Sequence, residues 1–361
     1  MVVVCAVNGC RPKTATRPLA LPAASSPSTD GRAVAADGGL FSRIDQELRL
    51  GQQRRMSSDR NAAWQIMHGV ICYGSDLQIE TPDAGTVGAL SYMLGGGSVR
   101  GFELQPGDLL PDGSMRGVKA RLEPGSYEGQ GHVDQWIAIL AMAGVPRETP
   151  IRIGDEMATV EAFARQAQYD VSRNVLDEYS WTLIALTHYF PDQPRWTAWG
   201  DYAVSWEDLV AQELEKDLDS SPCGGTHRMA GIVAALRARQ RLGLPDSPVW
   251  DRAAERVDRL LAHVESTRLA DGTLSAYYFA KPGRTNDLGA QLAGSGHVFE
   301  FCALALPDER LTEAWVQMAA RRICDLLEAT RDQDLDCGAL YHALHGLKVY
   351  RQRLARISPA T

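Results

Sequence analysis

The sequence has no excess of basic charge, no dense cysteine framework and no apolar run long enough to be read as a bilayer-spanning helix. Its formal net charge is -8 and its pI near 5.5, so it carries no basic field to recruit phosphate backbones or anionic lipid, and nucleic acid is excluded as a partner. The seven cysteines are scattered. Cys72, Cys302 and Cys324 lie in apolar helical stretches and read as small core residues rather than half-cystines. The glycine run LGGGSV at 94–99 lacks the Lys-Ser/Thr ending, the strand and the helix of a phosphate-binding loop, and reads as a turn. What remains is a 361-residue chain with 45% hydrophobic and 23% charged residues, enough for one large domain with a substantial core, or for two.

The first ten residues, MVVVCAVNGC, end in Val7-Asn8-Gly9-Cys10, which resembles a bacterial lipobox. The stretch lacks a positively charged start and is short for a signal peptide, so residues 1–10 read as a truncated lipoprotein signal or as a frayed end. Residues 11–39 are rich in Pro, Ala, Ser and Gly and read as a flexible linker, disordered, between an anchor and a folded domain at 40–361. The expected location is extracytoplasmic, with membrane contact only through the lipid anchor. Without a signal it is cytoplasmic.

Self-similarity organises the rest of the chain. Six polar positions, Arg60, His132, Asp177, His227, His297 and His342, are each followed four residues later by an aromatic residue or glycine: Trp64, Trp136, Trp181, Gly231, Phe301 and Gly346. A spacing of four puts both side chains on one helix face. Nearly all-apolar stretches follow, such as WIAILAMAG, WTLIAL, GIVAAL and FCALAL, which must be buried on every side and suit an inner ring of helices. Between them lie amphipathic outer candidates: TVEAFARQAQYDV, WEDLVAQELEKDL, LTEAWVQMAARRICDLLEAT and SPVWDRAAERVDRLLAHV. In the last of these Ser247 can cap the helix and Pro248 can occupy its first turn. The intervals between anchors run long, short, middle, long, short, which suggests two related halves. The two long intervals carry matching segments, PDGSMRGVKAR then GQGH, and ADGTLSAYYFA then GSGH. The fold expected is all-α, an α/α toroid of about six helical hairpins.

The segment STRLADGTLSAYYF resembles the helix-end and turn pattern of the α/α toroid repeats of terpenoid cyclases and protein prenyltransferases. That resemblance implies architecture over residues 40–355. The DxDD acid and DDxxD magnesium motifs of the cyclases are absent, so it does not imply terpene cyclisation. CGGTHR at 223–228 and GQGHVDQW at 129–136 resemble motifs of an exported bacterial family, which implies no particular activity.

If the inner helices run parallel, His132, His227, His297 and His342 meet at one mouth with Asp177 and Arg60. Imidazoles and carboxylates there can exchange protons near neutral pH. In an acid–base site, His132 or His297 works with Asp134, Asp177, Glu178 or Glu300, while Arg60, His227, Arg228 and His342 bind the ligand, Arg228 an anionic group. The ligand expected is small and polar or anionic, such as a carbohydrate, by analogy with α/α-barrel glycoside hydrolases and polysaccharide lyases. If the protein is an enzyme, it is an acid–base lyase or hydrolase. Trp64, Trp136 and Trp181 are either a sugar-stacking platform or a core aromatic layer. No cofactor is required by this reading. A zinc alternative pairs Cys223 with His227 and Cys337 with His342, although these spacings are neither CxxC nor the Cys-His-Gly of lanthionine cyclases. Purely structural histidines in an interaction scaffold are the remaining alternative, for which a plugged ring is expected instead of a polar pocket.

Overall fold

The computed structural model describes residues 38–357 apart from 112, 114, 175 and 177, so the residues read as a lipoprotein signal, most of the linker and Asp177 lie outside the described residues. The chain forms helices α1 (Gly38–Gln52), α2 (Ala63–Tyr73), α3 (Ala89–Leu94), α4 (Gln135–Met142), α5 (Val160–Asp170) and α6 (Ser180–Tyr189). It continues with α7 (Trp206–Leu214), α8 (Thr226–Leu242), α9 (Pro248–Thr267), α10 (Leu288–Ala305), α11 (Ala314–Ala329) and α12 (Cys337–Ile357). α1 thus begins two residues inside the segment read as linker.

The even-numbered helices follow one another side by side, α2 on α4, α4 on α6, α6 on α8, α8 on α10, α10 on α12, and α12 again on α2, so their contacts close into a ring. α4 is buried along nearly its whole length and α10 through its middle, as their apolar stretches require. The odd-numbered helices pack outside: α5 on α4 and α6, α7 on α6 and α8, α9 on α8 and α10, α11 on α10 and α12, α1 on α11 and α12. α9 shows the logic of this layer. Trp250, Ala253, Val257, Leu261 and Val264 are buried along one stripe, and Ser247 accepts from the Trp250 N–H with Pro248 in the first turn.

The all-α class is overturned by nine short strands in four small sheets among the described residues. β1 (Met56–Ser57) lies parallel to β2 (Gln78–Thr81), which pairs antiparallel with β3 (Gly85–Gly88); β4 (Leu104–Leu109) pairs with β5 (Arg116–Ala120), β6 (Pro150–Ile153) with β7 (Glu156–Thr159), and β8 (Arg195–Ala198) with β9 (Tyr202–Ser205). Three hairpins deliver the chain directly into α3, α5 and α7. Their tight turns use left-handed residues, Gly154 in one and Gly200 and Asp201 in another, which glycine and aspartate tolerate best. The last strand residue then caps the helix, Thr159 for α5 and Ser205 for α7. Segments of four residues, half exposed, carry too little alternation to stand out from the amphipathic helices they precede.

Candidate functional site

The histidines meet. Ring centroids lie 5.9 Å apart for His132 and His227, 5.0 Å for His227 and His342, 5.5 Å for His227 and His297, and 4.1 Å for His297 and His342. His68, from the middle of α2, joins them 5.4 Å from His342. His342, His297 and His227 are only 2%, 3% and 8% exposed. Burial, with repulsion from His342, pushes the imidazoles of His68 and His297 down to about 3, and burial with three neighbouring imidazoles holds His227 well below its usual range. These rings are neutral at physiological pH.

The tautomers follow from the partners. His297 Nδ1 lies 2.8 Å from the Ala293 carbonyl, which can only accept, so Nδ1 carries the proton and Nε2 is bare. His342 Nδ1 donates to Glu300 Oε2 over 2.7 Å, which in the neutral ring leaves its Nε2 to accept from His227 Nε2 over 3.4 Å; His227 Nδ1 is then bare as well. Both bare nitrogens, His227 Nδ1 and His297 Nε2, are buried with no hydrogen-bond partner. His227 and His297 each bring one ring nitrogen to the Cys223 sulfur, the three ligand atoms all lying within 4.8 Å of one another. Burial, with the nearby carboxylates of Asp336, Glu300 and Glu178, raises this thiol to about 12.

The backbone around Cys223 is unusual. Cys223, Gly224 and Gly225 have φ of 51°, 58° and 74°, three left-handed residues in succession before α8 starts. Tyr278, with φ 53°, packs so closely over Gly224 that a Cβ there would sit 2.3 Å from its own. Among the described residues the non-glycine residues with positive φ are Asp134, Asp201, Cys223 and Tyr278; Cys223 is in the cluster and the Tyr278 ring lies 5.6 Å from that of His297, as strained positions at functional sites tend to.

Glu300 lies behind the cluster. Its two oxygens take Nδ1–H of His342 and, over 2.5 Å, of His345. Burial alone would raise this carboxyl, but the two imidazoles outweigh it and hold Glu300 well below the usual range. The bridge exists because α10 and α12 touch backbone to backbone: a Cβ on Gly346 would lie 2.9 Å from the Glu300 Cα, and one on Gly296 2.7 Å from the Ala343 Cβ.

On the other side His132 Nδ1 is 2.9 Å from Glu178 Oε1, a carboxylate that accepts its proton and leaves Nε2 as the basic nitrogen. Asp134, left-handed before α4, accepts from Thr182 Oγ1 over 2.6 Å, and burial raises its carboxyl to about 6. It lines a cavity of about 340 Å³ together with Gln130, Val133, Lys119, Arg173 and Asn174.

Other expected residues are elsewhere. Arg60 precedes α2 with a side chain 65% exposed, bonded to Ser57 and 3.5 Å from Glu80, because the polar residue that α2 sends inward is His68, four positions after Trp64. Arg228 pairs with the buried Glu213 at 2.7 Å and donates to Ser221, so it fixes the loop carrying Cys223 instead of offering a free cation. Cys337 starts α12 and is not among the converging ligand atoms, and His342 has its Nδ1 committed to Glu300; His297 stands where that pair was expected. Trp136 and Trp181 are buried, each with its indole N–H unpartnered among the described residues, and Trp181 packs 4.8 Å from His227. Sequence reasoning missed His68 and His345. Both open the same dipeptide, His68-Gly69 and His345-Gly346, which was the available signal.

No helix among the described residues is long and apolar enough to cross a membrane. No protein-family model, curated protein or solved structure matches the chain.

Proposed function

We propose that the protein is a metal-dependent enzyme of the lyase or hydrolase type, acting on a small polar ligand such as a carbohydrate, with a zinc-class ion held by Cys223, His227 and His297. The observation that carries this reading is the convergence of the Cys223 thiol with one ring nitrogen each of His227 and His297 within 4.8 Å, in rings that each also have a buried nitrogen without a hydrogen-bond partner. Tetrahedral zinc, with bonds of about 2.0–2.3 Å, separates its ligand atoms by about 3.3–3.8 Å, so the three groups need to close by about 1 Å. Thiolate and imidazole together suit zinc better than magnesium or calcium. The Ala293 carbonyl orients His297, and the chain Glu300, His342, His227 orients the other imidazole, which is the outer support that metal-binding histidines ordinarily have.

A zinc-class ion with three protein ligands keeps a position open and supplies Lewis-acid polarisation of a ligand oxygen. His132 Nε2, with Glu178 fixing the opposite nitrogen, takes a proton from the ligand or from water. Asp134, whose carboxyl burial raises to about 6, is a second group able to exchange a proton at mildly acidic pH, in the cavity that it lines with Lys119 and Arg173. Tyr278 and the two glycines after Cys223 hold the thiol in place.

The test is elemental analysis of full-length protein purified with zinc in excess, followed by cobalt substitution. About one equivalent per chain is expected, with a thiolate-to-cobalt absorption band that disappears in Cys223→Ser and with affinity falling more than about 100-fold in His297→Ala. Absence of metal in folded wild-type protein overturns the reading and leaves the scaffold alternative ahead.

A further inference from the structure

Toward the C-terminal ends of α4, α6, α8 and α10, away from Cys223, lies a second cavity of about 350 Å³. Its walls are apolar in part, with Met142, Ile184 and Leu304 from three different helices. Its polar members are Arg237 and Arg241 on one face of α8, His188 on α6, and His345 and Gln352 on α12; none of its lining residues is acidic. In a chain of net charge -8 this is a local reversal of sign.

Arg237 is half-buried and makes no hydrogen bond or ion pair with any described residue. The carboxylate that its surroundings offer, Asp308, is already taken by Arg353 through Nε and Nη2. Burial, with Arg353 and Arg241 nearby, pulls the Arg237 guanidinium down to about 10, as expected for a cation lacking a counter-ion. The carbonyl ends of α4, α6 and α8 lend the site some negative potential, which lets arginines reside there, but carbonyl dipoles leave the planar fork of donors unfilled. A guanidinium with open donors above an apolar wall matches a carboxylate carried on a short hydrocarbon body.

We infer that this cavity is a binding site for a small aliphatic carboxylate, its head on Arg237 and Arg241 and its chain against Met142, Ile184 and Leu304. The site uses none of the residues of the proposed metal centre and stands or falls separately.

The experiment is calorimetric titration of the full chain with hexanoate, with hexanol as the same body lacking the charge. Saturable hexanoate binding is expected, weakened at least about tenfold by Arg237→Gln and by Arg241→Gln and less severely by Arg237→Lys, which keeps the charge but loses the planar fork, with hexanol binding much more weakly. Arg237→Met, which removes an unpaired half-buried cation, is expected to raise the melting temperature of the ligand-free protein while abolishing binding. Hexanol binding as tightly as hexanoate, hexanoate binding untouched by both glutamine variants, or no hexanoate binding at all would each overturn the assignment.

Discussion

The two halves of the ring reach the same layered arrangement by different means. Before residue 206 every outer helix after α1 is entered through a β-hairpin, and the groups the half sends toward the cluster are mostly hydrogen-bonded acids and their partners: His132 with Glu178, Asp134 with Thr182. After residue 222 no strand occurs among the described residues, helices are up to 21 residues long, and the inward groups are Cys223 and imidazoles kept neutral by burial. His68 is the exception, a neutral buried imidazole from the first half. The short hairpins are half-exposed and lead the chain into the outer helices. The long helices α10 and α12, in backbone contact, hold Glu300 against the Nδ1 atoms of His342 and His345.

The contrast breaks most severely at Glu300. Replacing it by Gln leaves one carbonyl oxygen to serve two imidazole N–H groups in a buried site, and should cost about 3–5 kcal/mol of stability, read from denaturant midpoints, while lowering zinc affinity about 10–100-fold.

Acid titration sharpens the comparison because the buried imidazoles and the buried Asp134 carboxyl respond with opposite sign. His297 and His68 have folded pKa values of about 3 against an unfolded value near 6.5, so between those limits the unfolded chain binds more protons and stability falls as pH falls, by about 1 kcal/mol per pH unit for each. Asp134 has a folded pKa of about 6 against an unfolded 3.8, so there the folded chain binds more protons and stability rises as pH falls from 6 to 3.8. The imidazoles win, and melting temperature should drop as the pH is lowered from 6.5. Asp134→Asn, which tolerates the left-handed backbone, should be more stable than wild type at pH 7 by up to about 2 kcal/mol, with the difference vanishing near pH 4.

At the small end, Arg259→Ala on exposed α9, whose pair with Glu255 lies wholly outside both halves' inner layer, should change stability by less than about 0.5 kcal/mol in thermal melts.

Much of the inner layer was legible in the sequence because its residues are apolar on all sides and each such stretch follows a repeated signal, a polar residue with an aromatic or glycine four positions on; His132, His227, His297 and His342 were found that way. The register of the first repeat was not, since Arg60 and His68 flank Trp64 at equal distance and only packing decides which points inward. Strands escaped because they are two to six residues long; in the hairpins before α5 and α7, four-residue segments left only the turn dipeptides Gly154-Asp155 and Gly200-Asp201 as marks. The role of Arg228 was hidden for a similar reason: its partner Glu213 sits at the end of another helix, fifteen residues away, and sequence proximity to His227 suggested a free cation.

The thiol of Cys223 is presented by a stretch of main chain wound in the opposite hand from the helix that follows it. For an L-residue each left-handed position is costly unless the neighbours enforce it, and here two of the three are glycines wedged beneath Tyr278 and against Leu218. The turn has thus spent its rotational freedom, and the sulfur cannot be re-aimed by sliding or unwinding α8. Chirality acts as the latch: a β-branched residue at 223, or any side chain at 224 or 225, would have to reverse the hand of the turn before it could keep the aim.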